Sequence, residues 1–258
     1  MAILETPYLH FNQDISRARA LLDHADTLTE SELRNDIMRG AWMMSVGALD
    51  AYFCDAYADL IARTLQAKQH QPIIQIPGRL NNLRVPVVAF LRASSNENWR
   101  WRVMARELIE EHTVLSIKKI KDLFNHFFED ANKLMGDTSF DSWVLHRDHK
   151  QRLFGISRTN YRATQNSARN QARKDAKKVF EKRYERIFQR RHDCIHNCDR
   201  PKVAIDQTIV TSTEGVRKVI YDVEFLVNRC QEALINEYPT YLQRLGFSGV
   251  TRNRVGAS

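Results

Sequence analysis

Between residues 29 and 68 the sequence contains no proline, and only Gly40 and Gly47 interrupt a strong helical pattern. Apolar residues recur there at the spacing of a helix that buries one broad face. The same pattern occurs in residues 13–27, in residues 167–196 and in the stretch after Thr213. The whole chain of 258 residues has nine glycines and six prolines, which disfavours a turn-rich β architecture. The sequence therefore predicts an all-α fold, a bundle built around long helices.

The region between residues 69 and 165 has a different character. Pro72, Pro77, Gly78 and Pro86 break it into short apolar runs, with one short helix expected near 85–93, and helical spacing returns over 99–112 and 116–129. We interpret residues 1–258 as a single domain that carries 69–165 as a largely helical insertion between its second long helix and the basic helix. The polar end of the chain, residues 250–258, is expected to be a disordered tail.

The composition also bears on the compartment. No segment approaches the roughly 20 uncharged apolar residues that a membrane span needs, so we expect no membrane partner. The first residues include Glu5 and lack the basic start of a secretory signal. The four cysteines are then expected to be reduced thiols in a cytoplasmic protein.

Positive charge is concentrated in one part of the chain. Residues 147–200 contain 16 basic and 6 acidic residues, whereas the rest of the chain contains 23 basic and 25 acidic residues. Such a concentration is typical of a protein that binds a polyanion, most plausibly a nucleic acid. The alternative is an ordinary solvated helix face that is rich in lysine and arginine.

The basic helix ends in a cluster of chemically versatile residues at 190–200. Arg191 offers a guanidinium that can hold a phosphate with two hydrogen bonds, and His196 offers an imidazole that can move a proton near neutral pH. Cleavage of RNA without a metal needs these two functions. Five positions on an ideal helix turn the chain by about 140°, so the two side chains would not share one face squarely. We expect them to converge where the helix ends, or where a second copy of the chain completes the site.

Two metal-binding alternatives remain open at this cluster. His192 and His196 have the spacing of the two histidines in a zinc peptidase motif, with Asp193 where a glutamate is usual. The alternating residues His192, Cys194, His196 and Cys198 form a second candidate, a metal knuckle. The simplest interpretation is structural, with the histidines bonded to local carbonyls. We expect no metal and no cofactor.

Asp50 is the only charged residue between Ala41 and Cys54. A buried carboxylate is costly unless it is paired or hydrogen-bonded, so Asp50 is expected to have a cationic partner on another helix. The region around Arg191 and His196 is the candidate. The alternative is that Asp50 reaches solvent on a polar flank with Asp55 and Asp59.

Together these features resemble the HEPN superfamily, and more closely its RiboL-PSP-type branch. The resemblance lies in the phrase SVGALDAYF on an early helix, the motif RHDCIH over 191–196, a short loop, and a last amphipathic helix that begins VRKVIYDVEFLVNRC. The family motif is an arginine, a polar residue and a histidine after four to six intervening positions, and His192 fills the polar position. Arg190 is an alternative start of the motif. The resemblance covers about 30–68 and 167–245 and leaves the insertion unexplained.

The resemblance implies an all-α bundle that forms a homodimer along its motif helices, with a composite cleft that acts as a metal-independent endoribonuclease in phage defence or a toxin–antitoxin system. Arg191 would bind the scissile phosphate and His196 would act as general acid or base. His192 would position the phosphate or orient His196, and Asp50 would orient Arg191 or His196. An antitoxin or another regulatory protein would be a further partner, and some members of the superfamily only bind.

The basic helix upstream of the motif is suited to following an RNA backbone. Such contacts are sensitive to salt and largely independent of sequence. The candidate RNA-binding residues are Arg190, Lys174, Lys177, Lys178, Arg183 and Arg186. Trp99, Trp101 and Trp143 of the insertion are further candidates, for stacking on unpaired bases, although core packing is the more common use of tryptophan.

Overall fold

The computed structural model describes residues 2–78, 102, 105, 106, 114–197 and 212–257 of the chain. All regular elements in these residues are helical, so the predicted all-α class is confirmed. The α-helices with defined bounds are α1 Glu5–Thr27, α2 Ser31–His70, α3 Ile117–Phe124, α4 Asp137–Val144, α5 Gln151–Phe154, α6 Arg158–Ala163, α7 Asn166–Asn197, α8 Thr213–Arg244 and α9 Gly249–Arg254. Two 3₁₀ turns, Asn125–Phe127 and Asp130–Asn132, follow α3. No helix among the described residues is long and apolar enough to cross a membrane.

The predicted long helices are present, with small differences at their ends. Helix α1 starts at Glu5, eight residues earlier than the apolar pattern indicates. Pro7 lies within its first turn, where the missing N–H has no helical partner to lose. The short helix expected near 85–93 lies outside the described residues, as does most of 99–112.

Helices α1, α2 and α8 pack against one another and form the centre of the molecule. The three-residue connection between α1 and α2 makes them neighbours. The hydroxyl of Tyr52 on α2 donates to Oε1 of Gln231 on α8 at 2.6 Å, and the hydroxyls of Thr64 and Tyr238 lie 2.9 Å apart. These buried hydrogen bonds fix the register of α2 against α8, because a shift of either helix would leave polar atoms unpaired.

Residues 114–165 of the insertion complete the core through their aromatic side chains. Phe124 packs edge-on against Tyr57 of α2, with ring centroids 5.8 Å apart. Phe140 and Phe154 pack against Phe180 of α7 at 5.6 and 5.5 Å. Trp143, a candidate for base stacking, is 3% exposed and also lies beside Phe180, so its position is structural.

The end of the chain is ordered, and the prediction of a disordered tail over 250–258 is wrong for its described residues. Ser248 caps α9 by accepting from the Thr251 N–H, and Val255 and Ala257 are buried. The reason lies in α2, where the buried guanidinium of Arg63 needs acceptors. It donates to the carbonyl oxygens of Ala2 and Val255 and thereby holds both ends of the chain.

A buried acid on α8 ties the insertion to α7. Asp222 is fully buried and accepts from Arg152 of α5 at 2.6 Å and from Arg183 of α7 at 2.8 Å. Burial raises the pKa of Asp222, and the two guanidinium groups oppose that rise. The hydroxyl of Tyr184 donates to the Asp222 carbonyl at 2.6 Å, so two adjacent residues of α7 are held by one residue of α8.

Replacing Asp222 with Asn tests this tie. The variant leaves two arginines without their acceptor charge, and we expect it to lose about 2–4 kcal/mol of unfolding free energy, since one partner is removed from a buried ion cluster. Urea unfolding measures the loss. Asp130→Asn is the control, because Asp130 is exposed and its ion pair is with the nearby, half-exposed Lys133. Equal unfolding midpoints for the two variants would contradict a structural role for Asp222.

A candidate active-site groove between α3 and α7

Three contacts fix the position of the second half of α7. The indole N–H of Trp42 on α2 donates to the carbonyl oxygen of Ile187 at 3.3 Å. Ile187 is fully buried and Phe188 is 6% exposed. Together with the Tyr184 hydrogen bond to α8, these contacts set the direction in which the residues after 188 project.

Arg191, His192 and His196 border one groove between α3 and α7, of about 1030 Å³. The two side chains project about 140° apart on α7, which ends at Asn197, and both border the groove close to that end. Arg191 is half-buried and the two histidines are exposed. The imidazole rings of His192 and His196 lie one helical turn apart, with centroids separated by 4.3 Å and planes inclined by 44°.

Asp50 lies on α2, close enough to Arg191 for the two charges to interact. The carboxylate is half-buried and accepts from the backbone N–H of Val114 at 2.7 Å. Burial raises the pKa of Asp50, while the Val114 hydrogen bond and the positive charges of Arg191 and Lys119 act in the opposite direction. The structure thus places Asp50 within electrostatic reach of Arg191, and it also shows that Asp50 anchors the start of the segment that leads into α3.

The basic residues of α7 fall into two groups. Lys177 donates to Asp137 at 2.8 Å, and Arg183 is committed to Asp222. These two predicted RNA contacts therefore have partners within the fold. Lys174, Lys178 and Arg186 are exposed, and Arg190 is half-buried.

Lys174 and Lys178 share a face of α7 with the histidines. Each precedes one of them, His192 and His196 respectively, by 18 residues, which is five full helical turns or about 27 Å. Arg186 lies about 80–120° away from the residues of this face. Of the predicted RNA-binding residues, these two lysines are the ones that both face the groove side and point to solvent.

The opposite wall and the floor of the groove were not found from the sequence. Lys118 and Lys121 of α3 line it, with Phe188 at its base and Glu181 and Glu185 on the α7 side. The spacing of Ile117, Ile120 and Phe124 predicts α3 as a helix, but its pairing with α7 is a tertiary contact. From the sequence, Glu181 and Glu185 are only two of the acidic residues within the basic segment, and nothing indicates that they border a groove.

Among the described residues, no group of three or more His, Cys, Asp or Glu side chains is placed to hold a metal ion. Cys198, the fourth member of the candidate metal knuckle, lies outside the described residues. No protein-family model, curated protein or solved structure matches this chain. Its function is therefore inferred from the site itself.

The burial of Asp50 gives a pH-dependent prediction. Asp50→Asn keeps an oxygen for the Val114 N–H but removes the charge. Because the pKa of Asp50 is raised on folding, its ionised form costs stability, and this cost is absent below the unfolded pKa and complete above the folded one. We expect Asp50→Asn to gain stability relative to the wild type as the pH rises from about 4 to about 7. Urea unfolding across that range measures the gain. If the unfolding free energy of Asp50→Asn minus that of the wild type stayed constant or fell as the pH rises, the assignment would be contradicted.

Proposed function

We propose that the protein is a metal-independent endoribonuclease of the HEPN type, which cleaves RNA by attack of a 2′-OH on the adjacent phosphate. The observation that carries the proposal is that Arg191, His192 and His196 border the same groove. Arg191 binds the scissile phosphate and stabilises its developing charge. His196 acts as general acid or base, and His192 beside it positions the phosphate or orients His196.

The surroundings of the groove support these roles. Arg191 is half-buried and its positive charge acts on Asp50, and we expect this partial burial to help preorganise the guanidinium for a phosphate. The two histidines are exposed at the rim, where a polymer has access. Lys174 and Lys178 extend the cationic surface along the same face of α7.

The proposal includes a homodimer. The motif helices of two copies would meet and bring their Arg191 and His196 side chains into one composite cleft. The resemblance to the HEPN superfamily extends the proposal to a cytoplasmic role in phage defence or in a toxin–antitoxin system, with an antitoxin or another regulatory protein as partner.

The cleavage test uses labelled RNA and pure protein in EDTA. We expect the wild type to cleave, and His196→Ala or Arg191→Ala to lose at least about a hundredfold in rate, the scale of a general acid or base and of an electrostatic stabiliser. His24→Ala is the matched control, since His24 is exposed on α1 and does not border the groove. Equal rates for His24→Ala and His196→Ala would contradict the proposed role of His196.

A second candidate function is a helical module that binds RNA or a partner without cleaving it. The observation in its favour is the mixed charge of the groove, in which Glu181, Glu185 and Asp122 accompany the cations. In this case the protein binds RNA, and the products of the cleavage assay do not form.

Two adjacent lysines test the RNA path that both functions share. We expect Lys178→Gln to lower the slope of log affinity against log salt by about 0.7, the value for one lost phosphate contact on a single strand. Lys177→Gln removes the same charge, but from a lysine that pairs with Asp137, and should change the slope less. Fluorescence anisotropy with RNA that carries 2′-O-methyl groups measures both. A larger effect at Lys177 would place the RNA on another face of α7.

A further inference from the structure

The groove contains charges of both signs that do not pair with each other. Glu181 and Glu185 on α7 border it together with Lys118 and Lys121 on α3. Within the described part of the chain, none of these four side chains forms an ion pair or a side-chain hydrogen bond. Acids and bases that line the same groove without pairing leave their hydrogen-bonding capacity to a ligand.

The floor of the groove is apolar. Phe188 and Ile117 expose only 6% and 7% of their surface, and Leu115 is half-buried beside them. A flat apolar group that enters the groove therefore meets hydrocarbon below it, with carboxylates on one side and ammonium groups on the other. An unstacked nucleobase is such a group, since it buries its faces and presents polar atoms at its edges.

The position of Glu185 suits the base of a nucleotide whose phosphate lies at His192, the residue proposed to position the scissile phosphate. Glu185 precedes His192 by seven residues, which is two turns of α7, so both project from the same face about 10 Å apart along the axis. This span is comparable with the separation between the phosphate of a nucleotide and the far edge of its base. Glu181 lies one further turn away, beyond the reach of the same nucleotide.

A carboxylate selects among the four bases by the donors on their Watson–Crick edges. Guanine presents two adjacent donors, N1–H and the N2 amino group, which match the two oxygens of a carboxylate. Adenine and cytosine each place an acceptor next to one amino group, and uracil flanks its single N–H with two carbonyls. A carboxylate therefore forms a bidentate pair with guanine and faces at least one repelled acceptor in the others.

We infer that Glu185 binds the Watson–Crick edge of a guanine next to the scissile phosphate, so that the protein prefers guanosine at this position of single-stranded RNA. The inference rests on the proposed function for the place of the phosphate. Phe188 and Leu115 contact the base, and Lys118 and Lys121 are available to the phosphate of a neighbouring nucleotide. The groove then has a use for its acids as well as its cations.

The test measures binding of four short RNAs that differ in one base, G, A, C or U, and carry 2′-O-methyl groups that prevent cleavage. We expect the wild type to bind the G oligonucleotide at least about fivefold more tightly than the other three, the lower end of the discrimination from one bidentate contact. Glu185→Gln should abolish this preference and also bind the A, C and U oligonucleotides more tightly, because a repulsive charge is lost.

Glu181→Gln is the matched control, since it removes the same charge from the same face of α7. It should raise the affinity for all four oligonucleotides alike and retain the preference for G. Equal binding of the four bases by the wild type, or a preference that survives Glu185→Gln, would overturn the inference.

Unmodified versions of the same oligonucleotides separate this outcome from the fate of the proposed function. A preference for G without cleavage would support the guanine site and contradict the ribonuclease function. Cleavage without a preference for G would support the ribonuclease function and contradict the guanine site.

Discussion

The packing of α7 against α2 around Ile187 is the constraint on which the site depends. The Trp42 indole donates to the Ile187 carbonyl, and Ile187 and Phe188 are buried at the same level. This contact determines which side of the helix faces the core, and the sequence then decides which side chains follow. Arg191 lies within electrostatic reach of Asp50, while His192 and His196 border the groove between α3 and α7. Without this packing contact, the motif residues would be ordinary polar side chains at the end of a solvated helix. With it, a guanidinium near an acid and two imidazoles 4.3 Å apart border one space.

The basic character of α7 serves two purposes that the sequence does not distinguish. Some of its cations stabilise the fold through ion pairs. Arg183 pairs with the fully buried Asp222, and Lys177 pairs with Asp137. Others, such as Lys174 and Lys178, remain exposed on the face that carries the histidines. The net charge of the segment thus overstates the surface available to a polyanion. Under the proposed function, these exposed lysines would attract the phosphate backbone, and the glutamates of the groove would discriminate among the bases attached to it.

The helices could be predicted because their apolar spacing and the lack of proline act locally. The sequence predicts a cationic partner for Asp50, but among the described residues its hydrogen bond comes from the backbone N–H of Val114, and Arg191 acts on it only through its charge. The wall formed by α3 could not be predicted, because nothing in residues 117–124 specifies that they pack beside α7 rather than elsewhere. The order of the last residues was missed for a similar reason: the acceptors that Arg63 requires come from Ala2 and Val255, at the two ends of the chain. Tertiary contacts of this kind leave little trace in a local pattern.

The ends of the RNA fragments would distinguish attack by the 2′-OH from hydrolysis by water. Attack by the 2′-OH under the action of Arg191 and His196 leaves a 2′,3′-cyclic phosphate on one fragment and a 5′-hydroxyl on the other. Mass spectrometry of the fragments formed in EDTA reads both ends. We expect cyclic phosphate and 5′-hydroxyl ends. Fragments with 5′-phosphate and 3′-hydroxyl ends, or RNA that remains intact, would contradict the proposed function.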